Sequence, residues 1–187
     1  TRLVDDLLDV GRITAGKIAL DLQPVALGEL VHDAVEMVAP LVEQRGHALA
    51  LALPHEPAVV SGDRARLLQV VSNLLNNAAR YTPPGGRIHV ELRILGTSAE
   101  ISVRDNGPGI PSHQLKDIFN IFVQGEHNSE SGGLGLGLSL VQQLVTLHRG
   151  AVSAFSTGQA GEGSEFVVRL PLLRTPPNAD RTAAPPA

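Results

Sequence analysis

The sequence predicts a two-layer α+β sandwich in which a mixed, mostly antiparallel sheet packs on helices. Three observations carry that expectation. Residues 27–45 and 63–81 repeat apolar side chains at helical spacing. Two pairs of alternating runs, 87–95 with 99–105 and 151–157 with 164–170, are joined by turn residues as hairpins. The order of these elements also lacks the strand–helix–strand repetition of a doubly wound parallel sheet. With 187 residues the chain suffices for about one domain and a short appendage.

Taken in order, Leu3, Val4, Leu7, Leu8 and Val10 recur at helical spacing until Gly11 and Gly16 break the pattern, so residues 1–16 read as a helical stub. Ile18, Leu20 and Leu22 alternate up to Pro24 and predict a first short strand. Leu30, Val31, Ala34, Val35, Val38, Leu41 and Val42 trace one stripe of a helix ended by Gly46, with Pro40 expected to bend or interrupt its last turns. Residues 47–53 and 58–60 predict strands, and Asp63 caps a long helix that Thr82, Pro83 and Pro84 stop. Gly96, Thr97 and Ser98 join the first hairpin. The Gly/Ser/Asn-rich stretch from 106 to 137 holds one short helical piece around 113–122, and a connection of that length is a functional lid or disorder. A helix over 138–149 ends at Gly150, and a glycine-rich turn at 158–163 joins the second hairpin. Residues 17–173 thus form the domain, and the Pro/Ala-rich 174–187 read as a linker or disordered tail.

Composition narrows the function classes. The absence of cysteine excludes disulfides, thiolate catalysis and Cys-ligated metals. Fifteen basic against nineteen acidic residues give a net charge of −4, which argues against a nucleic-acid partner. Four Phe, one Tyr and no Trp leave no aromatic platform for single strands. No apolar run reaches the roughly 18 to 20 residues of a membrane helix, so no direct membrane contact is expected of this chain. It opens at Thr1 without Met or a basic-then-apolar leader and reads as a fragment of a longer protein.

Three constellations carry chemistry. On the helix from Asp63 to Tyr81, Gln69, Asn73 and Asn77 lie four residues apart and share one face, drifting about 40° per step. Leu67, Leu68, Val70, Val71, Leu74 and Leu75 bury most of the rest, so these amides need partners, from neighbouring backbone, solvent or a ligand. Asp105-Asn106-Gly107-Pro108-Gly109 sets a carboxylate before a tight turn that either ends a hairpin or lets backbone approach a ligand. In the second case Asp105 accepts from an exocyclic amine such as that of adenine. Gly132 to Leu138 opens directly into a helix, where crowded N–H groups and the helix N-terminus suit a phosphate. A Rossmann motif is excluded because no strand leads into the glycines, and a Walker A loop because Gly16-Lys17 is followed by Ile18.

Together these pieces resemble the catalytic domain of sensor histidine kinases. Asn73-Leu74-Leu75-Asn76-Asn77-Ala78-Ala79-Arg80-Tyr81-Thr82 is similar to their N box, and Asp105 to Ile110 to their first glycine box. Phe119-Asn120-Ile121-Phe122 is similar to their F box, and Gly133 to Leu138 to their second glycine box. The resemblance spans roughly residues 25–171 and implies the Bergerat fold with a flexible ATP lid. It implies ATP and Mg²⁺ as cofactors, with the amide oxygen of Asn77, and Asn73 close by, toward the metal. Arg80, where Lys is more frequent, would pair with phosphate and Tyr81 would flank the base, although a helix-end aromatic also covers a core. Asp105 would meet the adenine amine, with Gly107, Gly109 and Ile110 around the base. Gly133, Leu134, Gly135, Leu136, Gly137 and Leu138 would line the phosphates. Phe119 and Phe122 would anchor the lid, a place equally served by core anchors. Lys116 would reach a phosphate or remain a solvated lysine, and Ser164 would join the Asp105 network through water.

The same resemblance places the phosphoacceptor His before Thr1, on a helical hairpin whose second helix ends in residues 1–16. None of the seven histidines has the expected acidic neighbour and hairpin, and His148 suits a helix end as a cation. Implied partners are that hairpin, in cis or in trans within a homodimer, and the receiver domain of a response regulator. Implied localisation is cytoplasmic, with a soluble or membrane-anchored parent. Competing readings are another ATPase of the gyrase and chaperone superfamily, a serine protein kinase, or a non-catalytic nucleotide-sensing module. Gln69 stands where hydrolytic members carry a glutamate base, and an amide cannot take a proton from water.

Overall fold

The computed structural model describes residues 19–120 and 135–173. The stub at 1–16, Ile18 and the tail at 174–187 lie outside the described residues. Ten elements follow in order: β1 (Gln23–Ala26), α1 (Leu27–Gln44), β2 (Ala48–Ala52), β3 (Val59–Gly62), α2 (Arg64–Tyr81), β4 (Arg87–Leu95), β5 (Ser98–Asp105), α3 (Gly137–Leu147), β6 (Ala151–Ser156) and β7 (Ser164–Pro171). The α+β sandwich expected from the hairpins and helices is the one observed.

Five strands form a mixed sheet in the order β2-β4-β5-β7-β6. β2 runs parallel to β4, and the other pairs are antiparallel. The chain leaves β2 through β3 and α2 before returning at β4, a crossover long enough for a parallel neighbour. Alternation within residues 47–53 shows a strand but not its direction. One face of the sheet, with Ile88, Val90, Leu92, Ala99, Ile101, Val103, Phe166, Val168 and Leu170, is buried in one core with Leu30 of α1, Leu74 of α2 and Leu140 of α3. The alternate residues, among them Arg93, Arg104, Arg169 and Phe155, form the exposed face.

Three expectations are corrected. The first strand lies at Gln23–Ala26 rather than 18–22, because those residues find a partner in β3, Gln23 opposite Gly62 and Ala26 opposite Val59. Leu22 is left half exposed, an alternation with nothing to pair against. Pro24 is tolerated because its two-stranded sheet asks no ladder donor of an edge position. Helix α1 continues through Pro40 to Gln44 without interruption. Residues 112–119 form successive turns rather than a helix, with Leu115 and Ile118 bonding back to Pro111 and Gln114.

Candidate functional site

Asp105 ends β5 on the helix-covered face and is 7% exposed. Its Oδ1 accepts from the Gly107 amide at 2.8 Å, and its Oδ2 accepts from the Ser164 hydroxyl at 2.6 Å. The contact to Ser164 is therefore direct rather than through water, since β5 and β7 are paired neighbours. Gly163 makes that approach possible: a Cβ there would lie 1.9 Å from the Asp105 carbonyl oxygen, and its φ is +71°. Among the described residues no cation pairs with Asp105.

The turn after Asp105 is tied to the β6–β7 hairpin. The Ser156 hydroxyl donates to the Gly163 carbonyl at 2.7 Å and accepts from the Ile110 amide at 2.9 Å. The Gly161 amide donates to the Gly107 carbonyl at 2.9 Å. Asn106 turns away, accepting from the Arg87 amide at 2.6 Å. Sequence reasoning missed Ser156 and Gly163, and only the glycine-rich turn beside them was a signal.

Helix α2 brings the amide stripe alongside. Asp63 caps it, its carboxylate accepting from the Arg66 amide at 3.2 Å. His148, expected as a cation at a helix end, is buried: Nδ1–H donates to the Leu144 carbonyl at 2.7 Å and Nε2 accepts from the Asp63 amide at 3.0 Å. The ring thus joins the end of α3 to the start of α2. Asn73 is 8% exposed, and its amide nitrogen is buried without a partner among the described residues. Asn77 is half-buried, while Gln69 accepts from the Arg66 guanidinium at 3.0 Å. Arg80 and Tyr81 are exposed at the helix end. Thr82, the helix stop and the last residue of the stretch similar to the N box, is fully buried. A Cβ on Gly107 would lie 3.3 Å from the Tyr81 carbonyl, so the end of α2 and the turn after Asp105 meet there.

Beyond that turn, Ile110, Leu115 and Phe119 pack on the core, and Phe119 sits edge-on to Phe166 at 6.4 Å between ring centres. Phe119 is thus a core anchor in this structure, whereas Lys116 is exposed. Phe122, Gly133 and Leu134 lie outside the described residues. Gly135 has φ +68°, Leu136 is buried with its carbonyl accepting from the Ser139 hydroxyl, and Leu138 packs on the core. The apolar side chains of Leu136 and Leu138 are committed to packing, which leaves their backbone as the part able to face a ligand. A Cβ on Gly137, at the start of α3, would meet nothing within 4 Å.

Residues 62–174, more than half of the chain, match the family described as histidine kinase-, DNA gyrase B-, and HSP90-like ATPase. The chain belongs to this ATPase family. Among its relatives, the probable sensor histidine kinase TcrY of Mycobacterium tuberculosis is 41% identical over 92% of this chain and 35% of that protein. The sensor protein DivL of Caulobacter vibrioides is 37% identical over 94% of this chain and 22% of its own length. The chain thus spans about a third or less of these relatives. Among solved structures, the mycobacterial sensor histidine kinase MprB matches at 30% identity with a TM-score of 0.72, covering 80% of this chain and 98% of that one. Full-length ShkA in complex with AMPPNP matches at 30% identity with a TM-score of 0.81, over 93% of this chain and 36% of that one. No helix among the described residues is long and apolar enough to cross a membrane.

Proposed function

We propose that this chain is the ATP-binding catalytic domain of a two-component sensor histidine kinase. It binds Mg-ATP and presents the γ-phosphoryl group to a His upstream of Thr1, for relay to a response regulator. The observation that carries the reading is Asp105: a buried carboxylate held by two neutral donors, with no cation, at the meeting point of β5, β7 and the end of α2. Burying an uncompensated charge is costly, and a ligand donor such as the adenine amine would offset it.

The residues present fit a nucleotide and its metal. Asn73 holds a buried amide nitrogen with no partner among the described residues, a donor suited to a phosphate oxygen or a metal-bound water. Asn77 would supply an amide oxygen to Mg²⁺, a hard cation that needs only one or two protein oxygens beside a polyphosphate. When bound, the metal would neutralise charge on the phosphates. Gly107 and Gly109 would border the base, where a Cβ on either residue would crowd neighbouring atoms at 2.8 to 3.0 Å. Arg80 would pair with phosphate and Tyr81 would flank the base, both from the exposed end of α2. The amides opening α3 would face the phosphates. Gln69 offers no general base for water, which favours transfer to an imidazole over hydrolysis.

Calorimetry with ATP in the presence and absence of Mg²⁺ tests the site, and Asp105→Asn should weaken the binding about hundredfold. Extending the chain upstream of Thr1 and supplying γ-labelled ATP tests the transfer. An acid-labile, base-stable label is expected, and its absence alongside intact binding would defeat the kinase reading alone.

A further inference from the structure

We propose that Arg45 and His47 are positioning residues for the nucleotide site, holding the last turn of α2 in place from the turn between α1 and β2. The proposal rests on the nucleotide reading for its functional half and on geometry for the rest. The last carbonyls of any helix lack intrahelical donors. Here the shortage is acute, because Pro83 and Pro84 follow the helix and neither has an N–H. The Thr82 amide satisfies the Ala78 carbonyl at 3.1 Å. Ala79 and Arg80 are left for side chains. His47 Nε2–H donates to the Ala79 carbonyl at 2.9 Å, and the Arg45 guanidinium donates to the carbonyls of Arg80 at 2.8 Å and Thr82 at 3.2 Å. The backbone closes the same latch, with the Gly85 amide on the Arg45 carbonyl and the Ala48 amide on the Gly86 carbonyl, both at 2.9 Å.

The rest of α2 does not depend on this latch. Leu67, Val70, Val71, Leu74 and Leu75 are each about 1% exposed or less, and Asp63 with His148 secures the other end. In the last turn the Arg80 side chain is exposed, and the backbone carbonyls of Ala79, Arg80 and Thr82 take their donors from Arg45 and His47. Removing the latch therefore frays the turn that carries the proposed phosphate and base contacts while leaving the core folded. A guanidinium at this end also opposes the negative pole of the helix. His47 is buried and its Nδ1 has no partner among the described residues, so the one bond its ring makes there is the donation to Ala79.

Tyr81 is the only tyrosine and the chain has no tryptophan, so intrinsic emission reports this turn alone. In the full chain, Arg45→Met and His47→Leu should raise acrylamide quenching of Tyr81 about twofold with the far-UV circular dichroism unchanged. Each should weaken Mg-ATP binding about tenfold, the equivalent of one lost hydrogen bond. His47→Gln still presents an N–H and should restore both readouts. Should His47→Leu fail to fold, Arg45→Met alters only a peripheral side chain and carries the test. Unchanged quenching and affinity in Arg45→Met, or equal losses in His47→Leu and His47→Gln, would overturn the latch. A wild-type chain that binds no ATP would overturn the nucleotide reading and the functional half of the proposal with it.

Discussion

Strand β5 carries two carboxylates five residues apart, Glu100 at 5% exposure and Asp105 at 7%, on opposite faces of the sheet. Glu100 lies between two arginines, accepting from Arg93 at 2.8 Å and Arg169 at 2.7 Å, each directly across a strand pair. Among the described residues Asp105 receives a backbone amide and a hydroxyl and no cation. Glu100 is compensated charge for charge, and the bonds from Arg169 and then Arg93 hold its carboxyl below the usual carboxylate range despite its burial. The first arrangement is complete within the fold. The second is held by neutral donors, which is what the proposed nucleotide site asks of it. Nearly equal burial therefore says little about role, and the identity of the donors says most.

The comparison can be broken or sharpened by substitution. The largest effect is expected at Gly163, where a Cβ would collide with the Asp105 backbone. Gly163→Ala should cost about 3 kcal/mol of stability in chemical denaturation and abolish ATP binding with it. Next, Asp105→Asn should weaken ATP binding about hundredfold in calorimetry while leaving the melting temperature unchanged or raised. If Glu100→Gln did the same, the contrast between the two acids would fall.

Glu100→Gln should instead leave ATP affinity within about twofold and cost about 1 to 2 kcal/mol of stability, because both arginines are half exposed and water screens the pair. Its pH dependence follows from the lowered carboxyl. The folded protein binds the proton less readily than the unfolded chain, so the contribution is fully present above the unfolded value near 4.5 and is lost as pH falls through the folded one. Wild type and Glu100→Gln should converge in urea midpoints toward strongly acid pH and separate above it. The smallest effect belongs to Ser164→Ala, which removes one neutral donor from Asp105 and should weaken ATP about fivefold at unchanged fold.

How much of this was legible in the sequence depends on whether an element is defined locally. The cap at Asp63, the stop at Thr82-Pro83-Pro84 and both hairpins were, because capping, proline and turn chemistry act over a few residues. Asp105 with its glycines and Asn73 were singled out by residue type and spacing. The displaced first strand was not legible, since its partner lies some forty residues away in β3. Neither was the parallel direction of β2, which depends on the crossover. Arg45 read as the end of one helix and His47 as the start of a strand, although what both satisfy is the end of another helix. Ser156 carried no signal because a serine near a strand end is ordinary; its partners Ile110 and Gly163 give it meaning.

The turn between β6 and β7 is exposed from Thr157 to Glu162 and rich in glycine, the profile usually chosen for inserting a tag or opening a chain into new termini. Yet Gly161 and Ser156 fasten it to the backbone just past Asp105. The β4–β5 tip at Gly96 and Thr97 is also exposed and lies at the opposite end of β5 from Asp105. An engineer who wants a label on this domain should graft it there, because the more inviting loop is a strut and cutting it would release the backbone just past Asp105.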